Sequence, residues 1–314
     1  MNGQNRSLVI LAIAGIALSS FSFTGPANAA QITTGSGTWS ADANWNTAAP
    51  TGSDDAVVSS GHTMSSDATT ASYSGTLTLQ SNARINAANS GSQNAWTGVS
   101  SITMNAGVVI QDNSGTNHTV PAITLLGDAE WYTPFGASDW NVNDFNAIIG
   151  AHTWTTEGFN GHEFHYNAAN TFSAYISNAN DRHKIKADAA GALGTGDVTI
   201  NQRGNQVDPD RSGELTINVA DAIADTGTLY LNGPANGGGF SGNGTNIVIV
   251  NNDINEVVGG LELWGTALAP GVYESAAYTW LGGNGSIEVV PEPSTFVLAG
   301  LGLIGLIGVR RRRK

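Results

Sequence analysis

Cysteine is missing from this 314-residue chain, so no disulfide, thiolate metal site or thiol nucleophile is possible. Charge is scarce as well, at 12% of residues. Long solvent-facing helices draw on Glu, Lys, Arg and Leu, and a chain this poor in charge is not expected to build them. Bases are scarcest. Between residues 31 and 290 stand 24 acids against 6 bases, a formal charge of −18. That surface repels phosphate backbones, so no nucleic-acid partner is expected. It suits solubility and loose capture of divalent cations. No Gly-x-Ser-x-Gly elbow and no phosphate loop is present, and glycosidase carboxylates, which pair in space, leave no mark in sequence.

What the chain has instead is glycine, 40 residues of it, with abundant Ser, Thr, Asn and Ala. Gly and Asn serve corners at positive φ, and Thr, Val and Ile suit the strands between them. An apolar-polar-apolar triplet recurs: Leu77-Thr78-Leu79, Ile102-Thr103-Met104, Ile123-Thr124-Leu125, Val198-Thr199-Ile200, Leu215-Thr216-Ile217, Leu229-Tyr230-Leu231 and Leu261-Glu262-Leu263. Along a strand the outer two members point inward and the middle one outward. From Val198 the starts fall at 198, 215, 229, 247 and 261, a spacing that fits a meander or the successive strands of a solenoid. Rungs that can ladder Thr, Asn and Ser favour an all-β body built as a parallel β-solenoid; a β-sandwich is the alternative.

Aromatics mark two places. Trp39 and Trp45 are expected either to cap an open hydrophobic end or to stack on a sugar. The segment from Glu130 to Asn180 concentrates Trp131, Tyr132, Phe135, Trp140, Phe145, Trp154, Phe159, Phe164, Tyr166, Phe172 and Tyr175, most of which alternate with polar residues and are expected to fill wider rungs. Asn170-Thr171-Phe172-Ser173, followed by Ala174 where glycine is usual, resembles a step of the autotransporter-associated β-strand repeat. The stretch from Ala190 to Asn201 (AGALGTGDVTIN) resembles the same β-helical family more closely. The segment Asn255 to Leu261, a turn at Gly271-Val272-Tyr273 and a closing strand from Trp280 to Val289 resemble its final rungs. These resemblances imply architecture and carry no catalytic motif.

Both ends read as addresses. Arg6, the apolar run Leu8 to Leu18 and Ala27-Asn28-Ala29 read as a signal peptide over residues 1–30, expected to be a helix cut after Ala29 or Ala30. At the other end come Pro291 to Thr295, an uncharged run from Phe296 to Val309, and Arg310, Arg311, Arg312, Arg313 and Lys314. The run falls short of the about 20 residues that span a bilayer comfortably, and its cationic end is expected to stay in the cytoplasm. Val290, Pro291, Glu292 and Pro293 match the Val-Pro-Glu-Pro of the PEP-CTERM sorting signal, which this tail closely resembles. The resemblance implies an exosortase-type sorting partner, transient inner-membrane insertion through a hydrophobic helix at 291–314, and delivery to the envelope or the exopolysaccharide matrix. The body would then occupy residues 31–290.

Three groups of residues invite chemistry. Asp208, Asp210, Ser212 and Gly213 have the spacing of the first half of a calcium loop; the bidentate acid at its end is replaced by Val219, and an ordinary acidic corner is the other reading. Arg203 and Arg211 flank it, the one tight acid-base group that could imitate a polysaccharide lyase. His162-Glu163-Phe164-His165 looks metal-like, with His152 and His183 as conceivable additions, but on a strand His162 and Glu163 face opposite sides. No resident cofactor is expected. The function expected is that of a non-catalytic surface or matrix protein, structural or adhesive, contacting glycans. A polysaccharide-active β-helix enzyme and a sugar- or ice-binding module are the alternatives; the ice reading needs a flat outward array of threonines.

Overall fold

The computed structural model describes residues 30–66, 73–87, 99–112, 117–133, 142–158, 162–180, 183–203, 214–232 and 247–290. The two terminal helices expected from sequence lie outside these residues, as do Ala29, Pro291 to Lys314, and the corner holding Asp208, Asp210, Arg211 and Ser212. Among the described residues the only helical element is one turn of 3₁₀ helix, Asp42–Asn44. No helix there is long and apolar enough to cross a membrane.

The body is a parallel β-solenoid. Among the described residues its strands form an 11-stranded sheet along the body, a 6-stranded sheet beside its first part and a 7-stranded sheet beside its later part, with a 3-stranded sheet at the C-terminal end. In the first sheet Leu77 lies beside Ile102, Ile102 beside Ile123 and Ile123 beside Ile148, steps of 25, 21 and 25 residues. In the long sheet Val198 lies beside Leu229 and Leu229 beside Leu261, steps of 31 and 32. The third sheet aligns Leu215, Val248 and Leu281, steps of 33. Consecutive triplets after Val198 therefore alternate between two faces, and two of them make one turn of the coil.

Alternation within each strand builds the core. Leu77, Leu79, Ile102, Met104, Val198, Ile200, Leu229 and Leu231 are all at most 1% exposed, while the middle residues of their triplets face out. A parallel rung gives its backbone amides and carbonyls to the rungs above and below, so burial leaves few of them unpaired. Side chains reinforce this stacking. Asn201 Nδ2 donates to Asn178 Oδ1 at 3.0 Å, and Asn232 Nδ2 to Asn201 Oδ1 at 2.9 Å. A second ladder runs through Asp188, Asn218 and Asn251. Asn82, Asp221, Asn252 and Asp253 take left-handed corners, where short polar side chains are tolerated.

Most described aromatics of the aromatic segment are interior, whereas Tyr132 faces outward and is half-buried. Trp131, Trp154, Phe164, Tyr166, Phe172 and Tyr175 are 0% exposed, and Phe145 stacks on Tyr166 with centroids 5.2 Å apart. Its turns hold no more residues than the aliphatic turns before them: Ala129 to Trp154 is a step of 25 and Trp154 to Tyr175 a step of 21. The described part of the third sheet begins at His118–Val120. Phe135, Trp140 and Phe159 lie outside the described residues. Trp39 and Trp45 meet edge to face at 5.0 Å, and Trp39 meets Tyr73 at 5.2 Å. Both indoles are nearly fully buried, which fits a cap and leaves no open face for a sugar.

Close approach of rungs explains Gly196. A Cβ there would sit 1.9 Å from the Ser173 carbonyl oxygen of the rung below. Gly196→Ala is expected to cost about 1–3 kcal/mol by overpacking, read as a fall in the denaturation midpoint of the purified body.

At the C-terminal end, residues expected as a turn form the strand Gly271–Glu274, antiparallel to Ser286–Val289. The expected closing strand divides into Leu281–Gly283 and Ser286–Val289.

Candidate functional site

The outward positions of a solenoid are columns, one residue per rung about 4.8 Å apart, and each face offers a different chemistry. On the first sheet Val57, Thr78, Thr103, Thr124 and Ile149 share one column. It is uncharged and β-branched throughout, with three threonines on consecutive rungs. Sequence reasoning missed this row because its members stand 25 and 21 residues apart. On the long sheet the column is Arg84, Val109, Glu130, Thr155, Ile176, Thr199, Tyr230 and Glu262. That mixture is not a threonine array. Thr216, in the same repeat as Thr199, belongs to the third sheet instead.

The third sheet carries a cluster of charge. Strands Val142–Phe145, Glu163–Tyr166 and Lys184–Ala187 lie side by side and present Asp144, Glu163, His165, Lys184 and Lys186 outward. His165 bridges two carboxylates, with Nδ1 3.1 Å from Asp144 Oδ1 and Nε2 3.0 Å from Glu163 Oε2. Lys186 Nζ donates to Glu163 Oε2 at 2.6 Å, and Lys184 Nζ stands 3.8 Å from Oε1. The hydrogen bond from His165, followed by that from Lys186 and the charges of both lysines, brings the Glu163 carboxyl down to about 2 against the opposing cost of burial. These groups pair with one another from rung to rung, an arrangement that ties adjacent strands in register.

The same strand start turns inward one residue earlier. His162 and His183 are adjacent rungs of the interior, both 0% exposed, and the His183 ring meets Phe164 at 4.5 Å. Burial first, and the neighbouring His162 second, pull His183 down to about 3, so it is neutral at physiological pH. His162 and His165 thus face opposite sides of the sheet, and His152 lies at a corner between the first and long sheets. Among the described residues no group of three or more His, Asp or Glu side chains could hold a metal ion.

Several buried polar residues were not foreseen from sequence as buried, Asn170 and Glu256 among them. Asn170 ties three rungs together, accepting the Ile148 amide at Oδ1 and donating from Nδ2 to the Ala192 carbonyl, each at 2.6 Å. Glu256 is 0% exposed and accepts the Ile223 amide at 2.6 Å. Its phase with Val258, two residues on, was the available signal.

The last rung leads into the tail. Ser286–Val289 pairs with Asn255–Val258 on one side and Gly271–Glu274 on the other, and the Val290 amide donates to the Val258 carbonyl at 3.0 Å. The molecule is, in class, a β-solenoid that runs without a linker into a sorting segment. Residues 289–313 match the PEP-CTERM protein-sorting motif. That motif implies an exported protein, recognition by an exosortase-type sorting enzyme and envelope-associated sorting. The match covers under a tenth of the chain. No curated protein and no solved structure matches it.

Proposed function

We propose that the protein is a non-catalytic structural or adhesive component of the cell surface or exopolysaccharide matrix. A signal peptide over residues 1–30 exports it, the solenoid at 31–290 is the working part, and the segment at 291–314 holds it in the inner membrane until an exosortase-type enzyme removes that segment. The observation that carries the reading is the sorting motif at 289–313 joined to a β-solenoid. Further support comes from the faces. The threonine row of the first sheet offers hydroxyls at a regular repeat, suited to glycan hydroxyls. The charged groups of the third sheet are already engaged with each other.

In an exosortase-bearing host, the full chain is expected in the envelope or matrix fraction without Phe296 to Lys314. A chain cut back to Val290 is expected to accumulate as soluble periplasmic protein. Purified body should co-sediment with the host's matrix polysaccharide and leave its chain length unchanged. Equal distribution of the two chains would refute the sorting role, and shortening of the polysaccharide would refute the non-catalytic one.

A further inference from the structure

The sorting match begins inside the folded body. Its first residues, 289 and 290, belong to the last rung, where Ser286–Val289 has a strand on each edge. Ile287 is 0% exposed and Val289 4%. Side chains lock the same rung: Ser286 Oγ donates to Asn255 Oδ1 at 2.8 Å, and Asn255 Nδ2 to Glu288 Oε2 at 2.6 Å. A common way for a partner to read an extended peptide is to add to its backbone as a further strand. A strand paired on both edges has no amides or carbonyls left to offer.

We propose that this last rung is a built-in upstream stop for processing. The sorting protease cuts on the C-terminal side of Val290, and bonds before Val290 become available only when the rung opens. The cut adds one water across a peptide bond, leaving a carboxylate on the body and an amine on the tail. The part played by the natural enzyme rests on the sorting reading above. The stop itself is a property of local opening and holds for any protease that must wait for it.

The test uses the full chain in two arms. In the first, purified protein is digested under native conditions with a broad-specificity protease, and the resistant body's C terminus is read by intact mass. In the second, the mass of the exported chain is read from an exosortase-bearing host. Wild type is expected to end at Val290 or beyond in both arms. Ile287→Asp puts a charge into the buried side of the rung and is expected to move the resistant end upstream of Ser286. Val272→Pro disrupts only the exposed outer partner strand and is expected to move it in the same direction, which keeps the test decisive if Ile287→Asp does not fold. A wild-type end inside 286–289, or an end that neither variant moves, overturns the stop. An exported chain that keeps Phe296 to Lys314 instead overturns the processing reading and the natural enzyme's use of the stop, whatever the first arm shows.

Discussion

Raising the pH from about 5 to about 8 should remove on the order of 3 kcal/mol of stabilisation supplied by one buried carboxyl, and Glu256→Gln should abolish most of this Glu256 contribution. Relief of the cost of burying His183 neutral opposes it over the same range. Glu256 sits inside the last turns, under the corner at Asp221 to Ile223, where Asp221 has φ 59. Burial is the largest influence and drives its carboxyl up to about 7; amides of Ile223, Ala222 and Asp221 oppose this, and the Asp221 charge adds to it. A group raised in the folded state from 4.5 to about 7 binds its proton more tightly there than in the unfolded chain. Its contribution is therefore fully present below 4.5 and is lost as pH rises through about 7. Urea midpoints of wild type and Glu256→Gln across this range provide the check. Parallel pH profiles for the two chains would show that Glu256 is not the group responsible.

Trp154→Ala should be the most damaging single truncation of the core, at about 3–5 kcal/mol. The indole is 0% exposed, packs on Phe145 with centroids 5.8 Å apart, and donates its N–H to the Tyr166 hydroxyl at 3.0 Å. That hydroxyl is itself fully buried, so the truncation leaves both a cavity and a polar group short of a donor. In a solenoid each rung touches only its neighbours, so the weakened rungs are expected to open before the flanking ones. Two denaturation steps, or a reduced slope against urea, should replace a single transition. Thr155→Ala, one residue along and facing out, should stay within about 0.5 kcal/mol of wild type. A Trp154→Ala loss no larger than that of Thr155→Ala would contradict the packing described.

Strands were legible in this chain because burial in a solenoid follows the strictest local rule available, alternation by two. Each triplet that the sequence shows, from Leu77-Thr78-Leu79 to Leu261-Glu262-Leu263, is part of a strand with its first member buried. Lateral pairing was not legible, because it depends on how many residues each corner absorbs. Thr199 and Thr216 are neighbours in the repeat but lie on different faces, while Thr199 and Tyr230 share a column. The threonine row at Thr78, Thr103 and Thr124 was hidden for the same reason. Glu256 was passed over because polar residues in a strand are usually read as outward, although it stands in phase with Val258, and Asn170 because it lies in a corner between strands, where no alternation marks it as buried. The tail needed no fold at all: Val290 to Pro293 and the five cations are a linear signal. What the structure added is that this signal starts within a paired strand.

The absence of cysteine provides a clean test of the coil itself. In register across parallel rungs, Thr199 and Tyr230 stand side by side with Cα atoms about 4.8 Å apart, within reach of a disulfide. Thr199 and Thr216 would be the neighbours if successive strands paired as a meander. Two double variants, Thr199→Cys with Tyr230→Cys and Thr199→Cys with Thr216→Cys, are oxidised mildly and their free thiols counted by mass after alkylation. The solenoid requires that the first pair close and the second stay reduced. A second pair that closes while the first stays open would show that the strands do not coil in parallel.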